Sequence, residues 1–161
     1  MLLEEYKVVE LYKGAASTLG AAGFTDYVCC KNAHSVEFLI QHSGANDTDL
    51  TAIGLIEATD VAAGTAANVA VTFPIWSKDQ ASYLTSDGWD RETDAVAYTP
   101  LDPALKGDTR LWFYWDPAKH TAGYDCIAVR AVGGHASNFV VVTAFIKERY
   151  KQADPPSAIV D

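Results

Sequence analysis

Positive charge is scarce in this sequence: 12 Lys and Arg stand against 21 Asp and Glu in 161 residues, a formal net charge of −9. An acidic surface repels phosphates and has no counterions to release from them, which excludes nucleic-acid binding driven by charge. Cysteine is scarcer still. Three thiols, two of them adjacent at Cys29 and Cys30, cannot pair completely and do not match a secreted disulfide framework, so reduced, packed cysteines are expected. No apolar run approaches the roughly 18–20 residues a membrane helix needs. The stretch MLLEEYKVVELYKG at 1–14 is acidic and interrupted where a signal peptide is basic and then apolar. Synthesis in a cytoplasm, with no membrane partner, is the expectation.

The motifs of several chemistries are missing as well. There is no G-x-S-x-G elbow for a nucleophilic serine, no phosphate-cradling G-x-x-x-x-G-K-[ST] and no G-x-G-x-x-G. Cys29 and Cys30 lack C-x-x-C spacing, and His34, His42, His120 and His135 each stand singly, a poor arrangement for zinc. Acidic groups at Asp47, Asp49 and Asp60 and at Asp87, Asp90, Glu92 and Asp94 lack the loop length and terminal Glu of a calcium site, and read as solvated loops. Gly20, Gly23, Gly133 and Gly134 read as turn glycines. No catalytic residue, metal or other cofactor is expected, and folding should be indifferent to chelators and reductants.

What the chain does have is strand periodicity. With 49% hydrophobic and 20% charged residues it is of ordinary globular composition. In YVCCKNAHSVEFLIQ (27–41), Val36, Phe38 and Ile40 alternate with Ser35, Glu37 and Gln41, the mark of a strand with one wet face. SGANDTD (43–49) is turn-rich and predicts a hairpin-like connection to LTAIGLIEATD (50–60). VAVTFPIW (69–76) predicts a strand that ends or lies at an edge at Pro74, which has no N–H to donate. Residues 77–94 read as mostly exposed loop, and Asp102-Pro103 as the start of a single helical turn. RLWFYWD (110–116), CIAVRAV (126–132) and SNFVVVTAFIKERY (137–150) predict further strands, the last of them central. The first dozen residues fit a helix and a strand equally well.

Six or more strands without βαβ alternation predict an all-β fold: an antiparallel β-sandwich or jelly-roll-like barrel with short helical turns and extended termini. Its expected core is Val36, Phe38, Ile40, Ile127, Val129, Val141 and Phe145. Residues 1–150 form one β-rich domain including an N-terminal segment, and 151–161 an extended arm that Pro155 and Pro156 keep out of a sheet while Ile159 and Val160 give it an apolar tip. Deleting 155–161 is expected to weaken assembly and leave the fold intact. In the run 112–115 one face fills the core, and the other, Trp112 with Tyr114 or Phe113 with Trp115, is open to a partner or to a second layer of core.

KNAH (31–34), EATDVAAGTA (57–66), DAVAYT (94–99), YDCIAVR (124–130) and ERYKQADPPSAIVD (148–161) together resemble a family of small structural proteins of tailed bacteriophages, commonly encoded beside the major capsid protein. The PPSAIVD ending at 155–161 is the most specific of these segments. The resemblance implies a cement or decoration protein that binds the capsid exterior, made in the host cytoplasm. Its partners would be the major capsid protein and further copies of itself, often as a trimer. It carries over no catalytic residue. Partner contact is expected at Trp112, Tyr114, Pro155, Pro156, Ile159 and Val160. The alternatives are a tail or head-completion component, and a carbohydrate-binding module that uses exposed Trp and Tyr.

Overall fold

The computed structural model describes residues 5–43, 50–79, 86–99, 108–150 and 159. The arm residues Pro155, Pro156 and Val160, the turn at Asp102 and the stretch 44–49 lie outside them.

Period-two patterning produces two antiparallel sheets that face each other across one core. The first has six strands in the order β1 (Tyr6–Ala15), β11 (Phe139–Glu148), β3 (Ala33–Ser43), β9 (Thr109–Trp115), β6 (Ile75–Lys78) and β7 (Asp90–Arg91). The second runs β2 (Val28–Cys29), β10 (Cys126–Gly133), β4 (Leu50–Ala58), β5 (Ala66–Asn68), with β8 (Ala97–Tyr98) also paired to β4. The fold is therefore an all-β sandwich. Among the described strands the chain changes sheet at every step except β4 to β5 and β6 to β7. The core is consequently stitched by long-range pairing, and no hairpin joins β3 to β4, which corrects the expectation drawn from 43–49.

The ambiguous N-terminal stretch is strand: β1 pairs with β11 from Tyr6↔Lys147 to Ala15↔Phe139. From Tyr6 onward its tertiary partner decides between the two patterns the stretch allows. Pro74 does not end a strand but precedes one. β6 begins at Ile75, and the Pro74 carbonyl accepts the Tyr114 N–H at 3.1 Å, while the proline ring has no N–H to return the bond.

Val36, Phe38, Ile40, Ile127 and Val129 are buried in the core as expected. Val141 and Phe145 are not among its buried residues. Every side chain of β11 that faces the second sheet has the other phase, Val140, Val142, Ala144 and Ile146. Both phases of FVVVTAFI are apolar, so hydrophobicity alone leaves the strand's inward face undecided.

Between β1 and β2 lies one helix, α1 (Ala16–Ala22), made of small residues and ended by Gly23 at φ 86°, whose N–H returns to the Leu19 carbonyl at 2.8 Å. Gly20 is not a turn glycine. It sits inside α1 where a Cβ would stand 1.7 Å from the Gly133 carbonyl oxygen. Gly20→Ala is therefore expected to cost at least about 1–3 kcal/mol by overpacking. Gly23→Ala meets no neighbouring atom and should cost about 1–2 kcal/mol through left-handed backbone strain alone. Thermal melting of both variants checks this, and a Gly20→Ala protein that melts like the parent would contradict the close seating of α1 on the end of β10.

Candidate functional site

Cross-strand register builds an aromatic cleft on the outer face of the six-stranded sheet. β9 sends Leu111, Phe113 and Trp115 into the core and Trp112 and Tyr114 outward, so the first of the two phases open in the sequence is the outward one. Two neighbouring rows of side chains then cross the sheet. One runs Val8, Phe145, Glu37, Tyr114, and the other Thr143, Leu39, Trp112, Trp76, Arg91. Trp89, immediately before β7 and 37% exposed, closes one side. Glu37, Trp76, Trp89, Trp112 and Tyr114 line a cleft of about 510 Å³.

Its geometry is held by directed contacts. Trp112 stacks on Phe145 with ring centroids 5.3 Å apart and planes 19° from parallel, and Trp89 meets it edge-on at 6.1 Å. The Trp112 indole Nε1–H donates to Glu37 Oε2 at 2.9 Å. The Tyr6 phenol lies close enough to Glu37 to feel its charge. Burial, followed by the Glu37 charge, pushes the Tyr6 pKa up from its ordinary value. On the far side the Arg91 guanidinium lies 4.7 Å from the centre of the Trp76 ring, and is held there by Asp94 and the carbonyls of Ile75 and Glu92.

Of the expected contact residues, the structure thus brings Trp112 and Tyr114 together in one cleft and places Ile159 apart from its lining, 49% exposed. Trp76, Trp89 and Glu37 are the cleft residues that sequence reading did not assign to a site. Glu37 alone had a visible signal, its position on the wet phase of β3.

A second polar cluster lies inside the protein. Glu57 of β4 is 3% exposed and accepts the Thr121 N–H at 3.0 Å and the His120 Nδ1–H at 3.3 Å. His120 Nε2 in turn accepts the Trp115 indole N–H at 3.3 Å. Carboxylate and imidazole are arranged as in a general-base pair, yet the nitrogen that would take a substrate's proton is occupied by a core tryptophan. Burial pushes the His120 pKa below its ordinary value, with Glu57 pulling the other way. The cluster joins β4 and β9 to the short 3-10 turn Pro117–Lys119, which Asp116 caps by accepting the Ala118 N–H at 2.9 Å.

Several other nucleophiles and acids are engaged in structure. Cys30 is buried, and desolvation pushes its thiol well up, away from the reactive thiolate. Asp60 accepts the Gly64 N–H at 3.0 Å, and that bond lowers its pKa. Glu92 accepts from the Ser77 hydroxyl, and Asp94 pairs with Arg91. Among the described residues no group of three or more His, Cys, Asp or Glu side chains is placed to hold a metal ion. Among them, too, no helix is long and apolar enough to cross a membrane.

No family model matches the sequence, and neither does any curated protein. Among solved structures the chain is similar to the crystal structure of the SPBc2 prophage-derived protein YomS, with a TM-score of 0.45 and 10% identity over 88% of this chain and 92% of that one. At that identity no residue role passes from one chain to the other.

Proposed function

We propose that this protein is a non-enzymatic virion component of a tailed bacteriophage, a decoration protein that assembles with copies of itself on the capsid exterior and binds the major capsid protein. The observation that carries the reading is the aromatic outer face of the six-stranded sheet, where Trp76, Trp89, Trp112 and Tyr114 line an open cleft. Tryptophan and tyrosine are enriched at the centres of protein interfaces, because they exclude much water for little lost side-chain freedom. The resemblance of several segments, above all PPSAIVD at 155–161, to small phage structural proteins supports the phage assignment. A net charge of −9 favours the outside of a shell over its DNA-filled lumen. Each copy that binds only assembled shell stabilises it by mass action.

The test is the ratio of this protein to the major capsid protein in purified virions of the phage that encodes it. A copy number per virion comparable to that of the capsid subunits is expected. A ratio fitting the single tail or neck would replace decoration with a tail or head-completion role. Saturable, Trp112-dependent binding of glycans, with no capsid occupancy, would replace it with carbohydrate recognition.

A further inference from the structure

The Glu37 carboxylate stands in the cleft wall without a counter-charge. It is half-buried, flanked by the rings of Trp112 and Tyr114, and held in place by the indole N–H of Trp112. Among the described residues it has no ion-pair partner. The cations of this face are committed elsewhere: Arg91 to Asp94 and the Trp76 ring, Lys147 to the Tyr6 ring at 5.9 Å, and Lys78 to the Ser86 carbonyl, while Arg110, in the neighbouring row opposite Gln41 and Lys78, is engaged as well.

Covering the cleft therefore has a sign. A neutral apolar partner would strip water from Glu37 and return nothing, and an anion would be repelled. A cation reverses both terms, since it pairs with the carboxylate and meets the negative faces of the surrounding rings. Arg91 over Trp76 already demonstrates the second contact on this same face, at 4.7 Å. A sugar needs several donors and acceptors around a stacking ring. The lining side chains offer only a carboxylate, a phenol and indole N–H groups, of which that of Trp112 is already engaged by Glu37.

We propose that the cleft formed by Glu37, Trp76, Trp89, Trp112 and Tyr114 is the receptor for a basic side chain, lysine or arginine, presented by a protein partner. This rests on the contact role proposed for the face and names the chemistry the partner must bring to it. The volume of about 510 Å³ admits such a side chain with part of its flanking backbone. The net charge of −9 steers a basic partner toward it and makes association sensitive to salt.

Calorimetric titration of the full chain tests this with two short capped peptides, one containing lysine and arginine and one with norleucine and citrulline at the same positions, and with a neutral oligosaccharide. Saturable binding of the basic peptide is expected, with the neutral peptide weaker by roughly tenfold or more. Glu37→Gln, which keeps shape and hydrogen-bonding capacity, should weaken the basic peptide by a similar factor at an unchanged melting temperature. Trp89→Ala, at the cleft edge, should do so too. Equal binding of both peptides, indifference to Glu37→Gln, or binding of the oligosaccharide in place of the basic peptide would each overturn the proposal. Capsid occupancy separates its failure from that of the functional reading. If the Glu37→Gln protein decorates virions at parental occupancy, the basic-side-chain receptor is wrong while decoration stands.

Discussion

Phe38→Ala is expected to destabilise the protein by about 3–5 kcal/mol, the usual cost of vacating a buried aromatic site. Phe38 is fully buried between the sheets, in register with Ala144 of β11 on one side and Phe113 of β9 on the other. Neither neighbour can close the space without leaving its own strand position. Phe145 sits on β11 opposite Glu37, on the outer face, and its main aromatic contact is the stack with Trp112. Its truncation should cost only about 1–2 kcal/mol, the loss of an aromatic pair and some partly buried area. Urea denaturation of both variants measures the contrast. Equal losses, or a loss below about 1 kcal/mol for Phe38, would contradict the inward phase assigned to these strands.

Glu57→Ala is expected to cost a comparable amount, about 3–5 kcal/mol, for a different reason. Removing the carboxylate leaves the Thr121 N–H and the His120 Nδ1–H without their acceptor. The same cluster makes stability depend on pH. Because burial lowers the His120 pKa, the unfolded chain takes up a proton near the ordinary histidine value while the folded chain resists it to lower pH. The unfolded state thus binds more protons below about pH 6.5, so this contribution is complete above that value and is lost as the pH falls. Protonation would also turn His120 Nε2 from an acceptor into a second donor aimed at the Trp115 indole N–H. His120→Gln should flatten the fall in melting temperature between about pH 7 and pH 5. An unchanged slope would place the titrating group elsewhere.

Much of the site was legible one strand at a time. The alternation in VEFLIQ puts Glu37 on the wet side of β3, and the run LWFYW puts Trp112 and Tyr114 on one face whichever way the strand turns. Their meeting was not legible, because Glu37 and Trp112 are 75 residues apart and become neighbours only through β3–β9 pairing. Trp76 and Trp89 were harder still. Trp76 belongs to a four-residue strand too short to show a period, and Trp89 belongs to none. His120 looked solitary for the same cause: its partners Glu57 and Trp115 come from different sheets.

The sequence by itself determined that the chain is all-β, where its longer strands lie, which residues share a face within each strand, and that its net charge is strongly negative. These follow from local rules, period two and net charge, that need no partner. The tertiary structure decided which sheet each strand joins, that the N-terminal stretch is extended, and which phase of β11 faces inward. Thr143 and Lys147 share a phase with Val141 and Phe145, a weak polar mark that two large apolar side chains obscured until the opposing sheet chose Val140, Val142, Ala144 and Ile146. Periodicity sets the phase of a strand only where its two faces differ in polarity. Where they do not, as in FVVVTAFI, the inward face is chosen by which side chains fit the space left by the opposite sheet, and that choice belongs to packing.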